Sequence, residues 1–117
     1  LSTIENPGEF FDGIRRLKAL LQDRTDAFVL YATWGRKPGN ETLEALGMTN
    51  PEMTRHIAEM YDEAGQRFGM RVAHVGKAFA EYAAQHPDAE LYFEDLHHSS
   101  YLGSTVAART IFQTIQE

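Results

Sequence analysis

AFVLYATW, residues 27–34, is the stretch on which the fold turns. It is almost uninterruptedly apolar, rich in β-branched and aromatic residues, and too short for a typical helix. It lacks the apolar/polar alternation of a half-exposed strand. It therefore predicts a strand buried on both faces, the kind found inside parallel sheets.

Working outward, Asn6 and Pro7 read as an N-cap followed by proline in the first turn. Phe10, Ile14, Leu17 and Leu21 then fall at helical spacing, so a helix is expected over about residues 7–23, broken by DRTD (23–26). After Trp34, GRKPGNETLEALGMTN (35–50) is long for a connection, and such loops are usually functional or hold a short helix, here ETLEAL (41–46). Asn50 and Pro51 repeat the cap signature, and Met53, Ile57, Met60, Ala64 and Phe68 mark a second long helix ended by Gly69. RVAHV (71–75) is a second strand. Gly76 turns the chain into a third helix, KAFAEYAAQ (77–85), which stops near His86 and Pro87.

AELYFE (89–94) is read as a third strand. A last helix runs from about Ser100 to the end, with Tyr101, Ala108, Ile111 and Ile115 on one face. The order α-β-α-β-α-β-α implies parallel strands joined by helical crossovers, a three-layer α/β/α sandwich of flavodoxin-like type. Three strands are few for a buried parallel sheet, so the sheet is expected to be incomplete at the N-terminus or completed by a partner's edge.

The chain has 117 residues and room for one modest core, a single domain over 1–117. Eleven Lys and Arg against seventeen Asp and Glu give a net charge of -6, and no basic block exceeds two residues. That excludes a nucleic-acid partner, because phosphate binders concentrate positive charge on one face. No apolar run approaches the roughly 18–20 residues that span a bilayer, so no membrane span is expected. Cysteine is absent, which removes disulfides, thiolate ligands and thiol nucleophiles and leaves the compartment open. The chain opens on Leu1 with neither the basic start nor the apolar centre of a signal peptide, and a preceding segment is expected.

Ligands of open α/β sheets bind at the carboxyl ends of the strands. Two segments with unusual chemistry fall there: TWGRKPGN (33–40) and EDLHHSSYLGS (94–104). In the second, Asp95 and His98 stand three apart on a turn. That spacing lets a carboxylate accept a hydrogen bond from imidazole Nδ1 and leaves Nε2 free to take a proton. D-x-x-H is common by chance, and Asp95 or Ser99 capping the last helix is the plainer reading. A metal site at Glu94, Asp95, His97 and His98 is the other rival, but adjacent histidines diverge and the spacing matches no standard zinc pattern, so neither metal nor cofactor is expected. His74 lies in a strand and reads as a core or edge histidine. In the first segment, Trp34 is suited to stack on a sugar and Arg36 or Lys37 to meet an anionic group. The alternative is a tryptophan packed under its own loop with two solvated cations.

The sequence resembles the C-terminal part of the SGNH hydrolases, the GDSL-like esterase and lipase superfamily. The family's last strand ends in Asp-x-x-His followed by a small-residue helix start, matched here by Asp95, His98, Ser100, Gly103, Ala107 and Ala108. VLYATWGRKPG (29–39) looks like the strand and substrate-side loop of one branch, and residues 53–79 like the following helix, strand and helix. The resemblance implies a serine triad completed by Asp95 and His98, acting on a small-molecule or carbohydrate ester, with acyl transfer as the reaction. It also implies that the nucleophile and oxyanion donors precede Leu1, since no position here matches them. Asn40 follows the wrong strand to imitate the Gly-x-Asn block, Ser99, Ser100 and Ser104 lack a nucleophile elbow, and Ser2 reads as a remnant of a preceding loop. Two positions depart from the pattern: Leu96 stands where glycine is frequent after the aspartate, and Ser99 where proline usually follows the histidine. The chain alone is therefore expected to be inactive. The reading from a different class is a non-enzymatic α/β module that self-associates into a homo-oligomer through its open sheet edge.

Overall fold

The structure is a computed structural model that describes residues 2–117; Leu1 and the side chain of Ser2 lie outside the described residues, and with them the readings placed there. Its elements are α1 (Ser2–Glu5), α2 (Pro7–Leu21), β1 (Val29–Ala32), α3 (Glu41–Ala45), α4 (Asn50–Phe68), β2 (Arg71–His74), α5 (Val75–Gln85) and α6 (Tyr101–Gln116). β1 and β2 pair in parallel with Val29 opposite Arg71 and Ala32 opposite His74. The connection between them carries α3 and α4, as parallel pairing requires.

Alternation along the strands sends side chains to two helical layers. Arg71 and Ala73 face α6: Arg71 Nη1 donates to Ile115 O at 3.2 Å, and Ala73 joins Val75, Phe79, Leu91, Val106 and Ala107 in one core. Val72 and His74 face α4. Gly65 of that helix lies so close that a Cβ there would meet Val72 Cγ2 at 2.9 Å, and His74 Nε2 pairs with Asp62 at 2.8 Å. α4 adds a second core of Leu43, Met53 and Ile57, onto which Ile4 of α1 packs. This is a mixed helix and strand architecture around a small parallel sheet, the three-layer α/β arrangement expected.

The caps show how the local sequence sets boundaries. Asn6 caps α2, its side chain accepting from Glu9 N, and Asn40 caps α3, accepting from Thr42 N and Leu43 N. α4 is capped by Thr49 rather than Asn50. The one-residue shift places Asn50 inside the first turn, where its amide is free for another task described below. Gly69 ends α4 at φ 68°, a left-handed conformation that glycine adopts without a Cβ penalty.

Three expectations are corrected. AELYFE is not a third strand: only an isolated antiparallel bridge joins Tyr92 and Ser99. Its backbone groups close a local turn instead, Phe93 N donating to His98 O at 2.7 Å and Ser100 N to Leu91 O at 2.9 Å. The face of α6 that is buried carries Gly103, Val106, Ala107 and Thr114, while Tyr101 is 92% exposed and Ile115 is also exposed. The side rich in small residues is the one that can close on Leu91 and Phe79. On α2 only Ile14 is buried, and Leu17, Leu20 and Leu21 remain exposed. Phe10 against Tyr61 and Lys18 Nζ on Phe68 O hold the helix to α4, but nothing among the described residues covers its apolar stripe, which borders Phe28, Val29 and Leu30.

Candidate active site

The loop after β1 and the turn before α6 are locked together by hydrogen bonds between residues far apart in sequence. Trp34 Nε1 donates to His97 O at 2.8 Å, Lys37 N to Leu96 O at 3.0 Å, and Asn40 Nδ2 to Asp95 O at 3.4 Å. Beneath them, Asn50 Nδ2 donates to Gly35 O, Arg36 O and Tyr92 Oη within 3.0 Å, and Tyr92 Oη donates to Gly35 O at 2.6 Å. Burial pushes the Tyr92 phenol up, so it stays protonated and keeps that donor. Asn50 and Tyr92 are the positioning residues that sequence reasoning missed. Only the Thr49 cap, which frees Asn50, hints at the first.

Within the turn, the Asp95 carboxylate makes three bonds. Oδ1 accepts from His97 N at 3.0 Å and His98 N at 2.9 Å, and Oδ2 pairs with His98 Nδ1 at 2.5 Å. An aspartate accepting from the backbone two and three residues on is an Asx-type turn, so the same side chain that shapes the loop also holds the imidazole. An ionised carboxylate can only accept, which assigns the proton to Nδ1 and leaves Nε2 with its lone pair. The imidazole of His98 foremost, and then the two backbone N–H groups, hold the Asp95 carboxyl at about 2, against some desolvation that raises it. The His98 side chain is 72% exposed, open to a reacting group.

Leu96 adopts φ 61°, a left-handed conformation that a leucine enters only at a cost of about 1–2 kcal/mol. The glycine frequent at this position in the resembling family has that physical reason. Here the conformation is held by Leu96 N donating to Phe93 O and Leu96 O accepting from Lys37 N.

Asp95 titration supplies a prediction. Its folded value lies below the unfolded one near 3.8, so the stabilisation from this turn is complete above about pH 4 and is lost as pH falls through about 2. The Asp95 carboxyl carbon followed by NMR is expected to titrate near 2, and near the ordinary value in His98→Ala. A midpoint near 4 in the unsubstituted chain would contradict the pairing.

The remaining candidates fall as follows. Ser100, not Asp95 or Ser99, caps α6 by accepting from Gly103 N, and its hydroxyl donates to Glu90 O. Ser99 Oγ bonds Ser104 Oγ at 2.7 Å. Among the described residues no serine hydroxyl bonds His98. The His97 ring lies 4.3 Å from that of His98, and its pKa is lowered by burial first and then by the charges of Arg36 and His98. Trp34 stacks on Phe79 at 4.3 Å, and Lys37 Nζ pairs with Glu90 at 2.9 Å. Arg36 is half-buried: Nη1 donates to Thr42 Oγ1 at 3.0 Å and lies 3.5 Å from Asn40 Oδ1, and Nε is buried without a partner. Among the described residues no group of three or more His, Asp or Glu is placed to hold a metal ion, and no helix is long and apolar enough to cross a membrane.

The chain thus combines a small parallel sheet flanked by helices with an Asp–His pair on the turn before the last helix. A solved protein from Slackia heliotrinireducens, described as a putative SGNH hydrolase, superposes on 97% of this chain with a TM-score of 0.83 and 27% identity. This chain is a partial SGNH-like domain, and it spans 60% of that protein's length. No family model and no curated protein matches it.

Proposed function

We propose that this chain supplies the Asp–His end of an SGNH-type serine ester hydrolase, with the serine and the oxyanion donors coming from residues outside it. The observation that carries the reading is the Asp95–His98 pair, with Nδ1 bound to the carboxylate and Nε2 open on an exposed ring. In this reading His98 takes the proton of the serine hydroxyl as the serine attacks the ester carbonyl, then returns it to the leaving alcohol. Asp95 orients the ring and stabilises the imidazolium. Trp34, Arg36 and Lys37 form the wall of the substrate side, and the substrate is a small-molecule or carbohydrate ester. The chain alone has no turnover, because nucleophile and oxyanion donors supply much of the rate enhancement.

A second reading, a non-enzymatic module that self-associates, draws on the uncovered Leu17, Leu20 and Leu21 beside β1. A serine-reactive fluorophosphonate separates the two. It is expected to label a protein that joins this chain to a serine-bearing segment and to leave the chain alone unlabelled. Labelling of this chain would overturn the division of the triad, and no labelling of the joined protein would favour the module.

A further inference from the structure

We infer that Arg36 is an anion-recognition residue beside the Asp95–His98 pair, so that the ester this site takes carries a carboxylate or phosphate group. The substrate class rests on the hydrolase reading above; the anion site rests on the arrangement of Arg36 itself. An arginine held in a half-buried position normally faces an acid, because a guanidinium withdrawn from water is costly without one. Lys37 next to it follows that rule through Glu90. Arg36 does not. Its bonds run to two neutral oxygens, Thr42 Oγ1 on the first turn of α3 and Oδ1 of its cap Asn40, and its buried Nε–H has no acceptor.

Two features point the unpaired charge at this site. Asn40 holds Arg36 through Oδ1 and Asp95 O through Nδ2, so one side chain ties the guanidinium to the catalytic turn. Arg36 also lies near enough to His97 to disfavour its protonation, and the His97 ring is 4.3 Å from that of His98. Thr42 and Asn40 fix the plane of the guanidinium, and a fixed planar guanidinium with no acid partner is suited to recognising an oxyanion.

The test uses this chain and two probes, inorganic phosphate and acetate, at constant ionic strength. Each is titrated against the Arg36 Nε–Hε and His97 imidazole signals by NMR. Both signals are expected to move together and saturate with a midpoint of about 1–10 mM, and the probe with the lower midpoint identifies the oxyanion preferred. Arg36→Gln is expected to abolish the saturable shift of His97, Arg36→Lys to weaken it, and the surface variant Lys77→Gln to leave it unchanged. The amide shifts of Asp95 and His98 report that each variant keeps its turn, and Arg36→Lys serves if Arg36→Gln unfolds. A response that stays linear, or a saturable His97 shift retained in Arg36→Gln, overturns the inference. In the joined protein, Arg36→Gln should lower kcat/KM for a carboxylate-bearing ester about tenfold or more through KM and spare a neutral ester. Hydrolysis with no such discrimination removes the role of Arg36 and leaves the hydrolase reading. Anion binding with no ester hydrolysis removes the hydrolase reading and leaves the anion site.

Discussion

Alanine at position 103 is expected to lower the melting temperature of this chain by about 10 °C or more. Gly103 sits in the first turn of α6, where a Cβ would stand 2.2 Å from Leu91 O, 3.0 Å from Phe79 Cζ and 3.1 Å from Ser99 Cβ. The first of these is a backbone carbonyl that already accepts from Ser100 N, so it cannot rotate away as a flexible side chain would. Relief requires α6 to retreat from the segment it closes on, which opens the core of Phe79, Leu91, Val106 and Ala107. Overpacking of this kind costs about 1–3 kcal/mol and sometimes more, and each kcal/mol moves the midpoint of a domain this size by several degrees. The Asp95–His98 turn hangs from the same two strands of backbone, so its amide signals should broaden or shift with the loss of stability. A melting temperature within about 2 °C of the parent, with those signals unmoved, would show that the helix and Leu91 are not in this contact.

In a protein that joins this chain to a serine-bearing segment, His98→Ala is expected to reduce kcat by about 10³–10⁴-fold with little change in fold. The ring is exposed and lies beside that of His97, so its removal leaves no cavity. In the proposed reading it removes the acceptor for the serine proton, an interaction made in the transition state alone, so kcat should fall and KM should not rise in step. Asp95→Asn tests the pair differently. An amide keeps the shape, but with its oxygen on the two backbone N–H groups its Nδ2 donates to imidazole Nδ1, so the ring proton moves to Nε2, and a similar loss in kcat is expected. The Asn side chain can still accept from His97 N and His98 N, so the turn should persist while activity does not. Steady-state kinetics on the two variants check both expectations, and a loss below about tenfold in either would remove the pair from the mechanism.

Much of the architecture was legible before any coordinates. Residues 27–34 announced a buried parallel strand by their composition, the helical spacing from Met53 to Phe68 announced α4, and Gly69 its end. The Asp95–His98 pairing was legible for the same reason: it spans three residues on one turn, and short-range geometry follows from short-range sequence. AELYFE misled because its aromatic, β-forming residues fit a sheet as well as a turn. The choice was made by Phe93 N and Leu91 O finding partners in residues 98 and 100. The last helix misled because its larger apolar residues suggested the core face, whereas the small ones are what close packing on Leu91 admits.

Sequence alone determined the class of the fold, the long helices, and the carboxylate–imidazole pair, all of which rest on periodicity or on residues within a few positions of each other. Tertiary structure decided which faces are buried, that residues 89–94 stay out of the sheet, and that Trp34 and Asn40 from the loop after β1, with Asn50 of α4 and Tyr92, brace the Asp95–His98 turn. It also decided that Arg36 and Lys37, neighbours in the chain, differ in kind, one left without an acid and the other paired to Glu90. Most of those outcomes depend on which groups meet across 42 to 63 residues of chain, and hydrogen-bond partners that distant are chosen by the packing of the layers between them.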